Sequence, residues 1–254
     1  RTKNRRSLTR RTTMFRKILL NPYLKEKLRS VYFSLPTSIS APSYALVRSW
    51  FLPDRRRKHF ESVFTAAAAA GVEGDYLEFG VYQGSSFIMA NQLARKYGMN
   101  NMRFFAFDSF QGLPNDESET FVRGTYQFPK PKFTNMIEKA GVNMDKVVVV
   151  EGFFSESLTN DLKGKHALSK AAIINIDSDL YVSAKDVLKF LDDLVQPGTF
   201  LIFDDWNTFV TSNDSGVIDQ LGERKAFREW PLSSRFDEFY ESVHGKAFLM
   251  RPES

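Results

Sequence analysis

The chain has 254 residues, is 43% hydrophobic and carries a formal net charge of +5, enough apolar material for one substantial core and one or at most two domains. It contains no cysteine, which excludes disulfides, thiolate zinc sites and cysteine nucleophiles and leaves oxygen or imidazole to hold any metal. Its three histidines, His59, His166 and His244, are scattered, which argues against a histidine-built zinc site, and no apolar run reaches the roughly 18 residues of a membrane span.

The modest net charge hides an asymmetry. Residues 1–60 hold 16 Lys/Arg against Glu26 and Asp54, whereas residues 61–254 hold 19 basic against 28 acidic residues. We therefore expect two parts, a basic N-terminal arm with a short helical segment over 1–60 and an acidic globular domain over 61–254. Such an arm suits a polyanion such as RNA or an anionic membrane surface, or is a solvated tail. Arg1 is not an initiator residue, and the Arg/Ser/Thr-rich, acid-poor start reads as a fragment or a processed targeting segment, with Met14 an alternative start. Residues 1–16 read as disordered, and 17–60 as short helical pieces broken by Pro22, Pro36, Pro42 and Pro53.

Phe51-Leu52-Pro53-Asp54, followed by the run Arg55–Lys58, reads as a linker into a helix over 58–71 that includes the alanines 66–70. From Asp75 strands and helices alternate. Tyr76–Phe79, Phe104–Phe107, Val147–Val150, Ala172–Ile176 and Thr199–Phe203 are strand-like, with helical patterns near 85–97, 131–141, 156–162, 183–195 and 216–229. This rhythm predicts an α/β fold with a mostly parallel sheet and helices on both faces. Phe236–Tyr240 and Lys246–Met250 would close it as a C-terminal antiparallel hairpin.

Four strand ends carry candidate chemistry. Tyr76-Leu77-Glu78-Phe79-Gly80 runs into Val81-Tyr82-Gln83-Gly84-Ser85-Ser86, a glycine-punctuated strand-to-helix turn that is either a ligand loop or a plain tight turn. Asp108 ends the second strand some two dozen residues on, where doubly wound folds place a carboxylate for ribose hydroxyls; a turn or cap residue is the alternative. Glu151-Gly152-Phe153 ends the third strand, beside an expected adenine position, with Ser155 as a cap for the next helix. Ile173–Ile176 and Thr199–Phe203 then end in Asp177-Ser178-Asp179 and Asp204-Asp205-Trp206. Carboxylates gathered at one sheet edge suit Mg²⁺, Mn²⁺ or Ca²⁺. Asp179 is open to three roles: a second ligand, a base, or a cap.

With those residues in hand the chain resembles class I S-adenosylmethionine-dependent methyltransferases, and more narrowly the macrocin O-methyltransferase (TylF-like) family. The resemblance runs from about Gly74 to Trp230 and rests on Leu77–Ser85, Phe107–Pro114, Asp177–Ser183 and Asp204–Trp206. It implies a Rossmann-like seven-stranded sheet. It also implies S-adenosylmethionine as cofactor, with Glu78, Gly80, Gly84 and Ser85 at its methionine end, Asp108 at the ribose, and Gly152 and Phe153 at the base. By similarity Asp177, Asp204 and Asp205 would hold Mg²⁺ or another divalent cation, and Asp177 or Asp179 would serve as catalytic base, since Leu180 is apolar where some relatives carry a basic residue. The implied reaction is O-methylation of a hydroxyl on a sugar or secondary metabolite. Gln111 and residues 115–130, with Arg123 and Tyr126, would form a lid. The expected setting is cytoplasmic, with a homo-oligomer among the expected partners. The alternatives are a non-catalytic cofactor-binding scaffold, or a methyltransferase tethered to RNA or anionic membrane by its arm.

Overall fold

The computed structural model describes residues 53–114, 123–207, 222–242 and 245–252. The expectations for residues 1–52, for residues 115–122 of the lid and for 216–221 lie outside these residues. From Arg56 onward the described residues form one compact unit. Among them, no helix is long and apolar enough to cross a membrane.

In chain order the elements are α1 (Pro53–Ala69), β1 (Asp75–Phe79), α2 (Ser85–Lys96), β2 (Phe104–Asp108), α3 (Lys130–Lys139), β3 (Val147–Glu151), α4 (Phe154–Ser157), α5 (Asn160–His166), β4 (Ala171–Ile176), α6 (Tyr181–Phe190), β5 (Phe200–Phe203), α7 (Gly222–Glu229), β6 (Phe236–Glu241) and β7 (Lys246–Met250). The seven strands form one sheet in the order β3-β2-β1-β4-β5-β7-β6. The first five pair in parallel, and β7 runs antiparallel to both β5 and β6. The predicted architecture, closing hairpin included, is the one observed. Strand order reverses between β1 and β4, so the chain leaves these neighbours in opposite directions and opens a crevice at their carboxyl ends.

Period-two alternation divides the apolar side chains between two layers. Leu77, Phe79, Phe107, Ile174, Ile176 and Phe203 face one layer, packed on α6 and α7 through Val187, Leu188, Phe190 and Phe227. Tyr76, Phe104, Ile173, Phe200 and Ile202 face the other, covered by Phe60, Val63 and Phe64 of α1, Phe87 of α2 and Phe133 of α3. Burial on both faces explains why the central strands read as continuous apolar runs.

Three local expectations are corrected. The linker at 53–58 is helical, because Pro53 occupies the first position of α1, where its missing N–H costs nothing, and the arginines after it are good helix formers. The helix expected over 156–162 is two helices: the first ends at Ser157 with Leu158 as its C-cap, and the Thr159 hydroxyl accepts the Leu162 N–H (3.2 Å), starting the second. Ser155 is no cap; it lies within α4, whose N-cap is Phe153.

Phe79 and Phe107, neighbours on β1 and β2, stack with centroids 4.5 Å apart, and Phe79 is fully buried. Phe79→Ala is expected to lower unfolding free energy by about 3–5 kcal/mol, read from urea denaturation.

Candidate active site

The turn after β1 is shaped from beneath and from the side. Gly80 has φ +87°, and a Cβ placed there would stand 1.9 Å from the Asp177 carbonyl oxygen; its glycine is demanded by the close passage of β4's end. Gly84, with φ +79°, is the N-cap of α2 and makes no side-chain cap bond. Beneath it lies Glu78, fully buried, with Oε2 accepting from Tyr76 Oη and Oε1 from Ser86 Oγ, each at 2.5 Å. Burial pushes the Glu78 carboxyl up to about 7, against the opposing pull of the Ser86 and Tyr76 hydrogen bonds and of Arg56.

Asp108 ties three strand ends together. Its Oδ2 accepts the Val81 and Tyr82 N–H groups (2.9 and 3.1 Å), its Oδ1 accepts the Phe110 N–H (2.7 Å), and its carbonyl accepts the Gly152 N–H (3.0 Å). The carboxylate therefore organises the loop first: Oδ2 is filled by its two donors, and Oδ1 keeps room for one more. Gly80, Asp108, Gly152 and Phe153 are all half-buried, and Ser85 is exposed. Tyr82 makes edge contacts with Tyr126 and Phe128, both at 5.8 Å, so the described end of the expected lid packs on this loop.

The acidic strand ends lie one strand away. Asp177 Oδ2 and Asp204 Oδ2 converge on one nitrogen, Nη2 of Arg56, each at 2.5 Å. Burial alone would lower the arginine's pKa; Asp204, Asp177 and Glu78 outweigh it and hold the guanidinium charged. His59, one helical turn further along α1, is 2% exposed and rests against the Tyr240 ring. Burial brings its pKa down to about 4, Asp204 opposing and Arg56 reinforcing the shift, so the imidazole is neutral at neutral pH.

Asp205 is handled differently. Its N–H and that of Ser178 are accepted by the two carboxylate oxygens of Glu223, at 3.3 and 3.2 Å. Glu223 is buried, and its pKa lies well above the usual carboxylate range, first through burial and then through Asp205, with the Ser178 N–H opposing. Asp179 adopts φ +58°, a left-handed turn residue between β4 and α6 that caps neither; α6 starts after Leu180 without a side-chain cap. Among the described residues no group of three or more histidines and acids is arranged to hold a metal. The structure thus brings together Asp177 and Asp204 from the expected set, with Arg56 between them.

Two residues here were not expected from the sequence. Arg56 falls in a basic run that looks like a linker, yet Arg56, His59, Phe60, Val63 and Ala67 follow the spacing of one helical face. Glu223 sits on a stripe with Ala226, Phe227 and Trp230, all buried; a lone acid on an apolar face is the signal that would have found it.

The sequence profile described as macrocin-O-methyltransferase (TylF) matches residues 41–220, and the chain belongs to that family. It is 28% identical over 162 residues to 8-demethyl-8-(2,3-dimethoxy-alpha-L-rhamnosyl)-tetracenomycin-C 4'-O-methyltransferase of Streptomyces olivaceus, covering 60% of each chain. It is 25% identical over 179 residues to mycinamicin III 3''-O-methyltransferase of Micromonospora griseorubida, covering 66% of this chain and 68% of that one. The match with the first relative thus spans under two thirds of that protein's length. In fold it is similar to the solved structure of CalS11, a calicheamicin methyltransferase, with TM-score 0.63 at 19% identity, over 90% of this chain and 93% of that one.

Glu78 generates a prediction about stability. Its pKa in the folded chain, about 7, lies above the ordinary 4.5, so between those values the folded state holds more protons than the unfolded one and stability falls as pH rises. Across that window the wild type is expected to lose on the order of 2–3 kcal/mol relative to Glu78→Gln. Urea titrations below pH 4.5 and above pH 7 read the difference, and parallel profiles for the two proteins would contradict it.

Proposed function

We propose that this chain is an S-adenosylmethionine-dependent O-methyltransferase acting on a hydroxyl of a sugar or other hydroxylated secondary metabolite. The observation that supports it most is the Asp177–Asp204 pair, converging on one cationic atom beside the β1 turn of a TylF-family sheet. By its name the first relative above methylates a rhamnosyl-tetracenomycin and the second methylates mycinamicin III, which makes a glycosyl hydroxyl the preferred acceptor.

The half-buried strand ends at Gly80, Asp108, Gly152 and Phe153 offer a continuous rim at the switch point for the cofactor. Asp108 would take the ribose with the Oδ1 acceptor site its loop bonds leave over, and Ser85 would present its backbone N–H at the start of α2, the Gly84 N–H being taken by the Val81 carbonyl (2.7 Å). Glu78 acts indirectly, holding the loop through Ser86. S-adenosylmethionine, when bound, supplies the methyl group from its sulfonium.

The carboxylate pair also fits a divalent cation. Oxygens from two neighbouring strand ends already converge on a single cationic atom, and hard divalent cations take carboxylate oxygens as ligands. Asp177 and Asp204 would hold Mg²⁺ or a similar ion, with Asp205 reaching it only after local rearrangement; such an ion lowers the pKa of a coordinated hydroxyl and orients it. Asp177, at 24% side-chain exposure, and the half-buried Asp179 are the groups open to an acceptor and so able to take its proton. Glu223 contributes by fixing the β4 and β5 loops that carry all four aspartates.

The full chain, incubated with methyl-labelled S-adenosylmethionine and a panel of rhamnosylated and other glycosylated small molecules, is expected to label at least one acceptor. Asp204→Asn should lower that transfer by roughly a hundredfold or more, with cofactor affinity by calorimetry nearly unchanged. Undiminished transfer by this variant in the presence of chelator would sink the metal role, and absence of both cofactor binding and transfer would sink the reading.

A further inference from the structure

Arg56 sits where the proposed cation would sit. An arginine facing two carboxylates ordinarily spreads its fork, presenting different nitrogens to each partner. Here a single nitrogen, Nη2, serves both Asp177 and Asp204, while Nε is buried with no hydrogen-bond partner. The guanidinium is used as a point charge. Two further groups near it are buried and unpartnered: His59 Nε2, on the same face of α1, and both amide atoms of Asn175. Asn175 lies on β4, two residues before Asp177, and is paired in register with Glu78. A hydrated ion would bring to this pocket the water donors and acceptors that these atoms lack.

The element carrying Arg56 is suited to let go. Arg56 lies in the first turn of α1, and helix ends leave their first N–H groups without intrahelical partners. The rest of α1 is anchored by Phe60, Val63, Phe64 and Ala67, none of them exposed to solvent. One turn can therefore open while the helix stays docked.

We propose that Arg56 is a built-in competitor of the divalent cation: it occupies the point between Asp177 and Asp204 when no metal is present, and metal entry requires the first turn of α1 to release it. The inference rests on the metal reading above and adds to it a coupling between the cation and the start of the domain. A divalent ion carries twice the charge of one guanidinium, so exchange is favoured electrostatically once the ion's partial dehydration is met. Apparent affinity for the metal is then reduced by the fraction of time Arg56 holds the pair. Occupancy of nine-tenths weakens binding about tenfold.

The test is Mn²⁺ binding to the full chain, followed by electron paramagnetic resonance of the free ion, in wild type, Arg56→Gln, Arg56→Lys and Asp204→Asn. Arg56→Gln is expected to bind Mn²⁺ about tenfold or more tightly than wild type, Arg56→Lys to restore part of the competition, and Asp204→Asn to lose the site. Equal or weaker binding by Arg56→Gln overturns the role of Arg56 while leaving the metal reading standing; binding by neither protein overturns both. Should Arg56→Gln fail to fold, hydrogen exchange on the wild type decides the matter. Amides of residues 57–60, which donate to the first turn of α1, should exchange faster at saturating Mg²⁺, and unchanged protection there overturns the proposal.

Discussion

Charge balance at the carboxyl ends of β4 and β5 constrains everything around it. Parallel strands ending side by side bring Asp177 and Asp204 within reach of one atom, and an uncompensated pair of carboxylates in a half-buried crevice is strongly unfavourable. The chain meets that demand with Arg56, delivered by a helix packed across the neighbouring sheet face. His59 stays neutral because burial dominates and a permanent cation lies one turn away.

The other acids of the crevice work chiefly on backbone. Asp108 gathers N–H groups from two loops and Glu223 from two more. Loops at strand ends have backbone donors that no strand or helix satisfies, and a buried donor left unpaired costs as much as a hydrogen bond yields. Placing carboxylates there solves that problem and fixes the loops in the shape a ligand meets. Glu78 does the same one layer down, through the Ser86 hydroxyl at the start of α2. A rim held by side chains in this way is preorganised, which is what a transfer reaction between two bound molecules requires.

Much of this was legible in the sequence. Seven strands, their alternation with helices and the closing hairpin follow from apolar runs punctuated by glycine and acids, because a sheet buried on both faces permits little else. Leu77–Ser85, Phe107–Pro114 and the two acidic strand ends also marked the crevice. What escaped notice depends on contacts between residues far apart in the chain. Arg56 lies 121 residues from Asp177, and a run of four basic residues looks the same whether solvated or with one member turned inward. Glu223 is 45 residues from Ser178, and its role shows only when α7 docks. Asp108 was recognised by position, but its backbone bonds to Val81 and Tyr82 depend on how tightly the turn after Gly80 closes over β2.

The central claim is that one crevice holds a methyl donor beside a cation shared by Asp177 and Asp204. Anomalous diffraction from crystals grown with S-adenosylhomocysteine and Mn²⁺ tests it most directly. The expected map has a manganese peak about 2.2 Å from a carboxylate oxygen of each aspartate, Arg56 displaced, and the cofactor's ribose on Asp108. A map with the cofactor bound elsewhere, or with Arg56 still bridging the pair and no metal peak, would contradict it.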